Sequence, residues 1–236
     1  MIALEGLSGG YRGKTVFGPL NLTIKPGEAV ALLGGNGSGK TTLLKTILGL
    51  RPPHSGRVCW DGEDLAQIPL AERARRVAFV PQNHKVSFGL RVLDIVAMGG
   101  SAGLIRAHSA QAYARAHEAL AQLKQTHLAS KRITELSGGQ QQLVLIARAL
   151  AQHTPVLVLD EPVNHLDWGH QKRLLGLLAD LADQQRTIIF STHHPEQARQ
   201  LAKRCILMRE GKIITDAECA TCLTAAQLND LYDIDF

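Results

Sequence analysis

The sequence of 236 residues predicts an α/β fold with a mostly parallel sheet, an N-terminal antiparallel β subdomain and an inserted α-helical subdomain. A nearly continuous apolar run at 28–33 precedes a glycine-rich loop and a helical pattern. Strand and helix patterns alternate again after residue 154, which is typical of a parallel sheet with right-handed crossovers. Between them, Ala, Leu and Gln recur at helical spacing. We therefore expect a single domain, 1–236, with a core of 1–82 and 154–236 and a helical insertion at about 83–153.

The individual elements follow from local patterns along the chain. Runs of strand-like residues bounded by turn signals predict strands, and the last two form a hairpin around Glu210-Gly211. These strands are expected at 2–7, 20–24, 28–33, 57–60, 76–80, 156–159, 187–191, 205–208 and 212–215. Apolar residues at helical spacing predict helices at 41–50, 91–99, 110–125, 138–151, 170–183 and 224–232.

Composition excludes several classes of function. Hydrophobic residues make up 45% of the chain and charged residues 20%, as in ordinary globular proteins, and the apolar runs are too short to span a bilayer. The segment MIALEGL lacks a basic start and an apolar signal core, so we expect no export. The net charge of +5 is spread along the chain, and 4% aromatic residues leave few stacking platforms, so we expect no nucleic-acid binding.

The four cysteines are too few and too scattered for a disulfide scaffold, which favours a reduced cytosolic protein. Cys219-x-x-Cys222 could be half of a zinc site or a redox pair. The sequence places no second pair and no ligand cluster near it, so neither interpretation is favoured.

The sequence GGNGSGKT contains a complete phosphate-loop motif, Gly34-x4-Gly39-Lys40-Thr41. Between a strand and a helix, such a loop directs backbone N–H groups and the helix dipole at a β-phosphate. We expect Lys40 to reach the β- and γ-phosphates and the Thr41 hydroxyl to bind Mg²⁺. The predicted nucleotide-binding residues of this loop are Gly34, Gly35, Asn36, Gly37, Ser38, Gly39, Lys40, Thr41 and Thr42.

An acidic pair follows the apolar run VLVL, so both carboxylates should emerge at the carboxyl edge of the sheet, where α/β proteins bind ligands. Asp160 is suited to hold Mg²⁺, usually through water. Glu161 has no metal to bind in this scheme and is suited to orient or deprotonate a water molecule as a general base.

A second glycine-rich sequence, LSGGQ, opens the helix predicted to run to about Ala151. The Ser137 side chain and the amides of Gly138 and Gly139 would form a second anion site at its N-terminus, next to Gln140. Two such loops and an acidic pair suggest that each nucleotide is held from two sides.

In this order, GGNGSGKT, LSGGQ, VLVLDEP and the Thr192-His193 pair resemble the ATPase subunits of ABC transporters over nearly the whole chain. The resemblance implies a P-loop NTPase core that hydrolyses ATP with Mg²⁺. It implies that Tyr11 stacks on adenine and that Gln82 senses Mg²⁺ and connects to the transport partner. It also implies that Asp167 crosses a subunit interface and that His193 contacts the γ-phosphate.

The same resemblance implies the partners. Two copies of the chain would enclose two ATP molecules head to tail, with LSGGQ of one copy facing the nucleotide of the other. Separate transmembrane permease subunits would carry the cargo, a substrate-binding protein would act indirectly, and this chain would lie at the cytoplasmic face of the membrane. The sequence departs from the family pattern at Gln141 and Gln142, at His194 and at His165, which could alter the rate of hydrolysis.

The cargo class is indicated by two segments. RVLDIVAMG resembles the corresponding segment of ATPases that import ferric siderophores, haem, cobalamin, molybdate, or zinc and manganese, and Phe88, Leu90 and Met98 could line a groove for a permease helix or belong to an ordinary core. LDWGHQ and LNDLYDIDF resemble the metal-chelate branch more closely. An exporter or lipoprotein-extracting ATPase and a non-transport ATPase remain alternatives. The sequence does not name the cargo, which other subunits select.

Overall fold

The computed structural model describes residues 1–82, 89–100, 109–164 and 166–233. The chain forms two compact units, one of residues 1–69 and 181–236 and the other of residues 70–180. Among the described residues, no helix is long and apolar enough to cross a membrane.

Ten strands and nine α-helices are present in the described part of the chain. The strands are β1 (Ile2–Tyr11), β2 (Lys14–Ile24), β3 (Ala29–Leu33), β4 (Ser55–Trp60), β5 (Glu63–Asp64), β6 (Val77–Val80), β7 (Val156–Asp160), β8 (Thr187–Thr192), β9 (Arg204–Arg209) and β10 (Lys212–Glu218). The helices are α1 (Lys40–Ile47), α2 (Leu70–Arg76), α3 (Val92–Gly100), α4 (Ala110–Gln122), α5 (Gly138–Ala151), α6 (Trp168–Asp183), α7 (Pro195–Leu201), α8 (Cys219–Cys222) and α9 (Ala225–Tyr232).

The first unit contains an antiparallel sheet of four strands in the order β2-β1-β4-β5. Ile2 of β1 lies opposite Ile24 of β2 on one side and Trp60 of β4 on the other. All three side chains are buried, as apolar residues on the inner face of such a sheet should be.

The same unit contains the parallel strands that lead to the phosphate loop. Ala31 of β3 lies opposite Phe190 of β8 and Cys205 of β9, and both pairings are parallel. β10 pairs antiparallel with β9, which confirms the predicted hairpin. Because β3 has strand neighbours on both edges and its residues from Val30 to Leu33 are buried, its apolar run shows no alternation.

In the second unit, β6 and β7 form a parallel pair, with Val77 opposite Val156. Helices α3, α4 and α5 pack against one another in this unit. In α5, Val144, Ile146 and Ala147 are fully buried. The length and apolar content of α5 explain why its bounds agree with the prediction.

The predicted fold class is confirmed, and the predicted strands and helices are present. β1 extends to Tyr11, β2 begins at Lys14, six residues before the predicted start, and β5 was not predicted. Three short helices escaped prediction, namely α2, α7 and α8. No residue of α2 is buried, so α2 has no apolar stripe to detect. The subdomain limits of 83–153 stay a prediction; 83–88, including Phe88, and 101–108 lie outside the described residues.

Candidate functional site

The phosphate-loop motif lies between β3 and α1 in the first unit, as the sequence predicts. Gly34 is packed closely, since a Cβ there would lie 2.3 Å from the carbonyl oxygen of Met208 and 2.8 Å from Oγ of Ser38. Gly39, directly before the helix, has φ of 102°, which strongly favours glycine. The loop therefore has the tight backbone path that a phosphate cradle requires.

Lys40 is held inside this loop, with 5% of its surface exposed. Its Nζ donates hydrogen bonds to the carbonyl oxygens of Gly34 at 2.7 Å and Gly35 at 2.9 Å, and lies 3.4 Å from Oγ of Ser38. The loop is tied to the β9–β10 turn, because the Gly211 N–H donates to the Ser38 carbonyl at 3.1 Å. A buried ammonium within a glycine-rich loop suits an anionic ligand, so the residues present fit a nucleotide phosphate.

Tyr11 belongs to the same neighbourhood. Its hydroxyl accepts a hydrogen bond from Oγ1 of Thr42 at 3.3 Å. The guanidinium of Arg51 lies 3.7 Å from the ring centroid, and Nη1 of Arg51 donates to the Gly10 carbonyl at 3.1 Å. Sequence reasoning missed Arg51, which has no motif to mark it. The guanidinium of Arg51 therefore packs against the ring of Tyr11. The stacking of Tyr11 on adenine stays a prediction.

His193 follows β8 in the first unit. The Tyr232 hydroxyl of α9 donates a hydrogen bond to the His193 backbone carbonyl at 2.7 Å. The ring centroids of His193 and His194 are 4.0 Å apart. Helix α9 therefore holds the backbone of His193, which the sequence predicts to contact the γ-phosphate. Sequence reasoning missed this contact of Tyr232, because Tyr232 belongs to no recognised motif.

In the second unit, Glu161 follows β7 and is 6% exposed. Its carboxylate accepts hydrogen bonds from the side-chain amides of Gln82, at 2.9 Å, and Asn164. Glu161 has φ of 49°, a value that is uncommon for a residue other than glycine and is often found at functional positions. The carboxylate is therefore buried and oriented by two amides, one of which, Asn164, sequence reasoning missed.

Asp160 is the last residue of β7 and has no exposed surface. A buried carboxylate at a strand end suits a hard divalent cation such as Mg²⁺. Among the described residues, no three His, Cys, Asp or Glu side chains are arranged to hold a metal ion by themselves. Mg²⁺ in proteins is usually bound by one or two carboxylates together with water and the phosphates of the substrate.

The LSGGQ sequence forms the start of α5. Ser137 is the N-cap: its Oγ accepts from the Gln140 N–H at 3.3 Å, and Oε1 of Gln140 accepts from the Ser137 N–H at 3.1 Å. Ser137 and Gly138 are exposed, and a Cβ on Gly138 would meet nothing within 4 Å. This capped, open helix start can receive an external anion.

Gln141 and Gln142, at which the sequence departs from the pattern that it otherwise resembles, have structural partners. The Gln141 amide donates to the carbonyls of Ile133 and Leu136, both at 3.1 Å. The buried Gln142 donates to the Pro162 carbonyl at 3.5 Å. These contacts hold α5 against the segment before it and against the turn that follows Glu161. The other departure in that turn, His165, lies outside the described residues.

Asp167 precedes α6 and interacts with His170. The backbone N–H of His170 donates to Oδ1 of Asp167 at 2.9 Å, and Nδ1 of His170 lies 2.7 Å from Oδ2. These hydrogen bonds to the ionised form, the backbone one first, lower the pKa of Asp167. Nε2 of His170 lies 3.3 Å from the Gln125 amide, so the ring is held from both sides.

The candidate residues thus form two groups. In the first unit, the structure brings Tyr11 to Thr42 and places His193 against Tyr232. In the second unit, it brings Gln82 to Glu161 and pairs Ser137 with Gln140. Asp160, Gly139 and Asp167 also belong to the second unit. The nucleotide and metal roles of all these residues are predictions from chemistry and spacing.

The fold and the phosphate loop define a nucleotide-binding protein of the P-loop class. Residues 17–164 match the family model described as ABC transporter. The chain is 35% identical over 229 residues to the hemin import ATP-binding protein HmuV of Hahella chejuensis, covering 94% of this chain and 88% of that protein.

Solved structures agree with this match. The chain is similar to a metal-chelate type ABC transporter in an inward-facing conformation, with a TM-score of 0.83, 36% identity and coverage of 98% of this chain and 88% of that one. It is also similar to the dimeric ATP-binding cassette MJ0796 bound to ADP and Pi, with a TM-score of 0.86, 29% identity and coverage of 93% and 99%. The chain belongs to the ATP-binding subunits of the ABC transporter family.

Proposed function

We propose that this chain is the ATP-hydrolysing subunit of an ABC importer for a metal chelate or metal ion of the siderophore, haem, cobalamin or molybdate class. The observation that carries hydrolysis is the buried Glu161 carboxylate, held by the amides of Gln82 and Asn164 in a member of this family. The import class is supported by the likeness to the hemin import protein and to the metal-chelate transporter.

The phosphate loop binds the triphosphate in this proposal. The ammonium of Lys40 leaves the carbonyls of Gly34 and Gly35 and takes the β- and γ-phosphates. The hydroxyl of Thr41 would be a ligand for Mg²⁺, and Tyr11 would stack on adenine. When bound, Mg²⁺ would neutralise charge on the phosphates.

The second unit supplies the hydrolytic groups. Glu161 accepts a proton from the attacking water, while Gln82 and Asn164 keep its carboxylate in one orientation. Asp160 would hold Mg²⁺ through water, and Gln82 would be a further ligand. The imidazole of His193, in the first unit, contacts the γ-phosphate, with its backbone positioned by Tyr232.

We propose a dimer in which the exposed LSGGQ helix start of one copy binds the ATP of the other, and Asp167 crosses the interface. The dimeric cassette with ADP and Pi supports this arrangement. Loss of the γ-phosphate contacts would open the dimer. Transmembrane permease subunits would receive this motion at the cytoplasmic face of the membrane, and a substrate-binding protein would deliver the cargo.

The test is reconstitution. The chain is co-expressed with the permease and binding protein encoded by neighbouring genes and placed in proteoliposomes. Uptake of a ferric siderophore, haem, cobalamin or molybdate is measured with ATP on the side of this chain. ATP-dependent uptake of one of these is expected, with the Glu161→Gln variant inactive. Transport in the opposite direction, or an ATPase stimulated by RNA or DNA instead of the permease, would overturn the proposal.

A further inference from the structure

Three of the four cysteines meet in the first unit, although they are separated in sequence. Cys205 lies on β9, while Cys219 and Cys222 begin and end the single turn of α8. The thiols of Cys219 and Cys222 lie close enough to that of Cys205 to raise its pKa. In addition, Sγ of Cys222 lies 3.9 Å from the Cys205 carbonyl oxygen. All three are free thiols, so the fold builds a cluster that the Cys219-x-x-Cys222 spacing alone did not reveal.

The register of the β9–β10 hairpin explains the cluster. Cys205 lies opposite Ala217, and Cys219 follows two residues later, where its backbone N–H donates to the Lys203 carbonyl at 2.8 Å. This turn brings the start of α8 back over the start of β9. The spacing of the cysteines in the sequence predicts neither the pairing of Cys205 with Ala217 nor the turn from β10 into α8.

Cys219 is the cysteine of this cluster that lines a cleft. The cleft has a volume of about 420 Å³ and is lined by Arg199, Ala202, Lys203, Glu218, Cys219 and Ala220. Two cations and one carboxylate are among these lining residues, and Arg199 is also ion-paired with Glu196, which is not one of them. Cys205 and Cys222 have no exposed surface, so a reagent that enters the cleft meets Cys219 first.

The surroundings also distinguish the thiols chemically. The hydrogen bond from Cys205, followed by the positive charge of Arg199, lowers the pKa of Cys219 against the opposing effect of burial. The same hydrogen bond and burial raise the pKa of Cys205. Cys219 is therefore the more acidic thiol of the pair, and in this structure its Sγ donates to the Ala198 carbonyl oxygen over 3.8 Å.

We propose that Cys219 is a redox-reactive thiol that low-molecular-weight disulfides bearing carboxylates convert into a disulfide with Cys205. The oxidant class follows from the cleft, since the ammonium of Lys203 and the guanidinium of Arg199 attract carboxylates and its volume of about 420 Å³ admits one half of a small peptide disulfide. Oxidised glutathione belongs to this class.

The chemistry is two successive thiol–disulfide exchanges. Cys219 first loses its proton, and its thiolate attacks one sulfur of the small disulfide, forms a mixed disulfide and releases one small thiolate, which takes up that proton. Cys205 then loses its proton and attacks Sγ of Cys219, which breaks the mixed disulfide and releases the second small thiol. The protein loses two electrons and two protons, and the small disulfide is reduced to two thiols.

The experiment treats the reduced full-length chain with oxidised glutathione, quenches with acid, alkylates the remaining thiols and maps the peptides without reduction. The expected product is a peptide pair joined through Cys205 and Cys219, with Cys59 alkylated. The Cys205→Ser variant should instead accumulate glutathione on Cys219, and Cys219→Ser should give neither product.

Two further cysteine variants serve as matched controls for the link between Cys205 and Cys219. Cys59→Ser removes another buried free cysteine, outside the cluster, and Cys222→Ser removes its third thiol. Both should form the Cys205–Cys219 link at the rate of the unaltered chain. Should a variant fail to fold, the unaltered chain still decides: Cys219 must react at least tenfold faster than Cys59. Equal labelling of Cys59 and Cys219, or a bond between Cys219 and Cys222, would overturn the proposal.

Discussion

The side-chain amide of Gln82 donates a hydrogen bond to the carboxylate of Glu161 over 2.9 Å, although the two residues are 79 positions apart in sequence. Each follows one strand of a parallel pair, in which Val80 of β6 lies opposite Leu159 of β7. The residue predicted to respond to the transport partner therefore contacts the residue predicted to activate water. A shift of Gln82 would change the orientation of the Glu161 carboxylate directly.

The first prediction concerns the general base. Replacing Glu161 by Gln keeps the shape of the side chain and an oxygen that can accept from Gln82, but removes the proton acceptor. We expect the steady-state ATPase rate to fall by about 10²–10⁴-fold. ATP binding should be retained, and the ATP-bound dimer should persist, which size-exclusion chromatography with ATP would detect.

Lys40→Ala provides the contrasting variant. Its ammonium is the buried cation of the phosphate loop, so its removal should weaken ATP binding itself, measured by titration with a fluorescent ATP analogue. An unaltered rate in Glu161→Gln would show that Glu161 is not the base. Normal ATP affinity in Lys40→Ala would contradict the role assigned to Lys40.

The second prediction concerns Asn164, which also donates to the Glu161 carboxylate. Loss of this hydrogen bond to a charged group in Asn164→Ala should reduce kcat about tenfold, with little change in the KM for ATP. Asn164→Asp should instead place a second carboxylate beside Glu161 and repel it, so kcat should fall further than in Asn164→Ala. Equal kcat values for Asn164→Asp and Asn164→Ala would contradict direct contact with the base.

The role of Asn164 shows where sequence reasoning stopped. Glu161 could be predicted, because an apolar run ending in two carboxylates places them at a sheet edge. Asn164 could not, because its contact depends on a turn in which the Asn164 N–H bonds the Glu161 carbonyl at 3.3 Å. The positive φ of Glu161 is likewise invisible in a sequence that offers no glycine there. The sequence pattern therefore predicts the reacting carboxylate, while the geometry of the turn determines which side chain orients it.

Among the helices, too, some could be predicted from local sequence and others depend on tertiary contacts. α5 could be predicted because its buried residues recur at helical spacing over fourteen residues. α8 could not, since four residues give no periodicity, and its position depends on the β9–β10 register. The thiol cluster therefore required the tertiary structure, although all its cysteines were visible in the sequence.

The third prediction concerns Tyr232, whose hydroxyl donates to the His193 carbonyl over 2.7 Å. Tyr232→Phe removes a hydrogen bond worth about 1 kcal/mol and loosens the backbone of His193. We expect kcat to fall about fivefold at constant KM for ATP, as for a positioning residue. Tyr113→Phe is the matched control, because it removes a hydroxyl bonded to Asp94 at 2.9 Å in the other unit. Equal losses of kcat in both variants would indicate a general effect on stability.

The fourth prediction concerns the lowered pKa of Asp167. Its cause is donation from the His170 backbone N–H and then from the His170 side chain. Because the folded pKa lies below the unfolded one, these contacts stabilise the fold above the unfolded pKa, and the stabilisation is lost as pH falls through the folded pKa. His170→Ala keeps the backbone donor and removes the ring, so the pKa of Asp167 should rise part of the way to its ordinary value.

A carboxyl ¹³C NMR titration of Asp167 measures this shift directly, without reference to activity. His153→Ala is the matched control, because it also removes an imidazole ring that lies beside a carboxylate of the same unit. In the unaltered chain, Nε2 of His153 lies 3.7 Å from Oε2 of Glu118. It should leave the titration of Asp167 unchanged. If His170→Ala also left it unchanged, the ring would not contribute, and the backbone N–H alone would hold the carboxylate that we propose crosses the dimer interface.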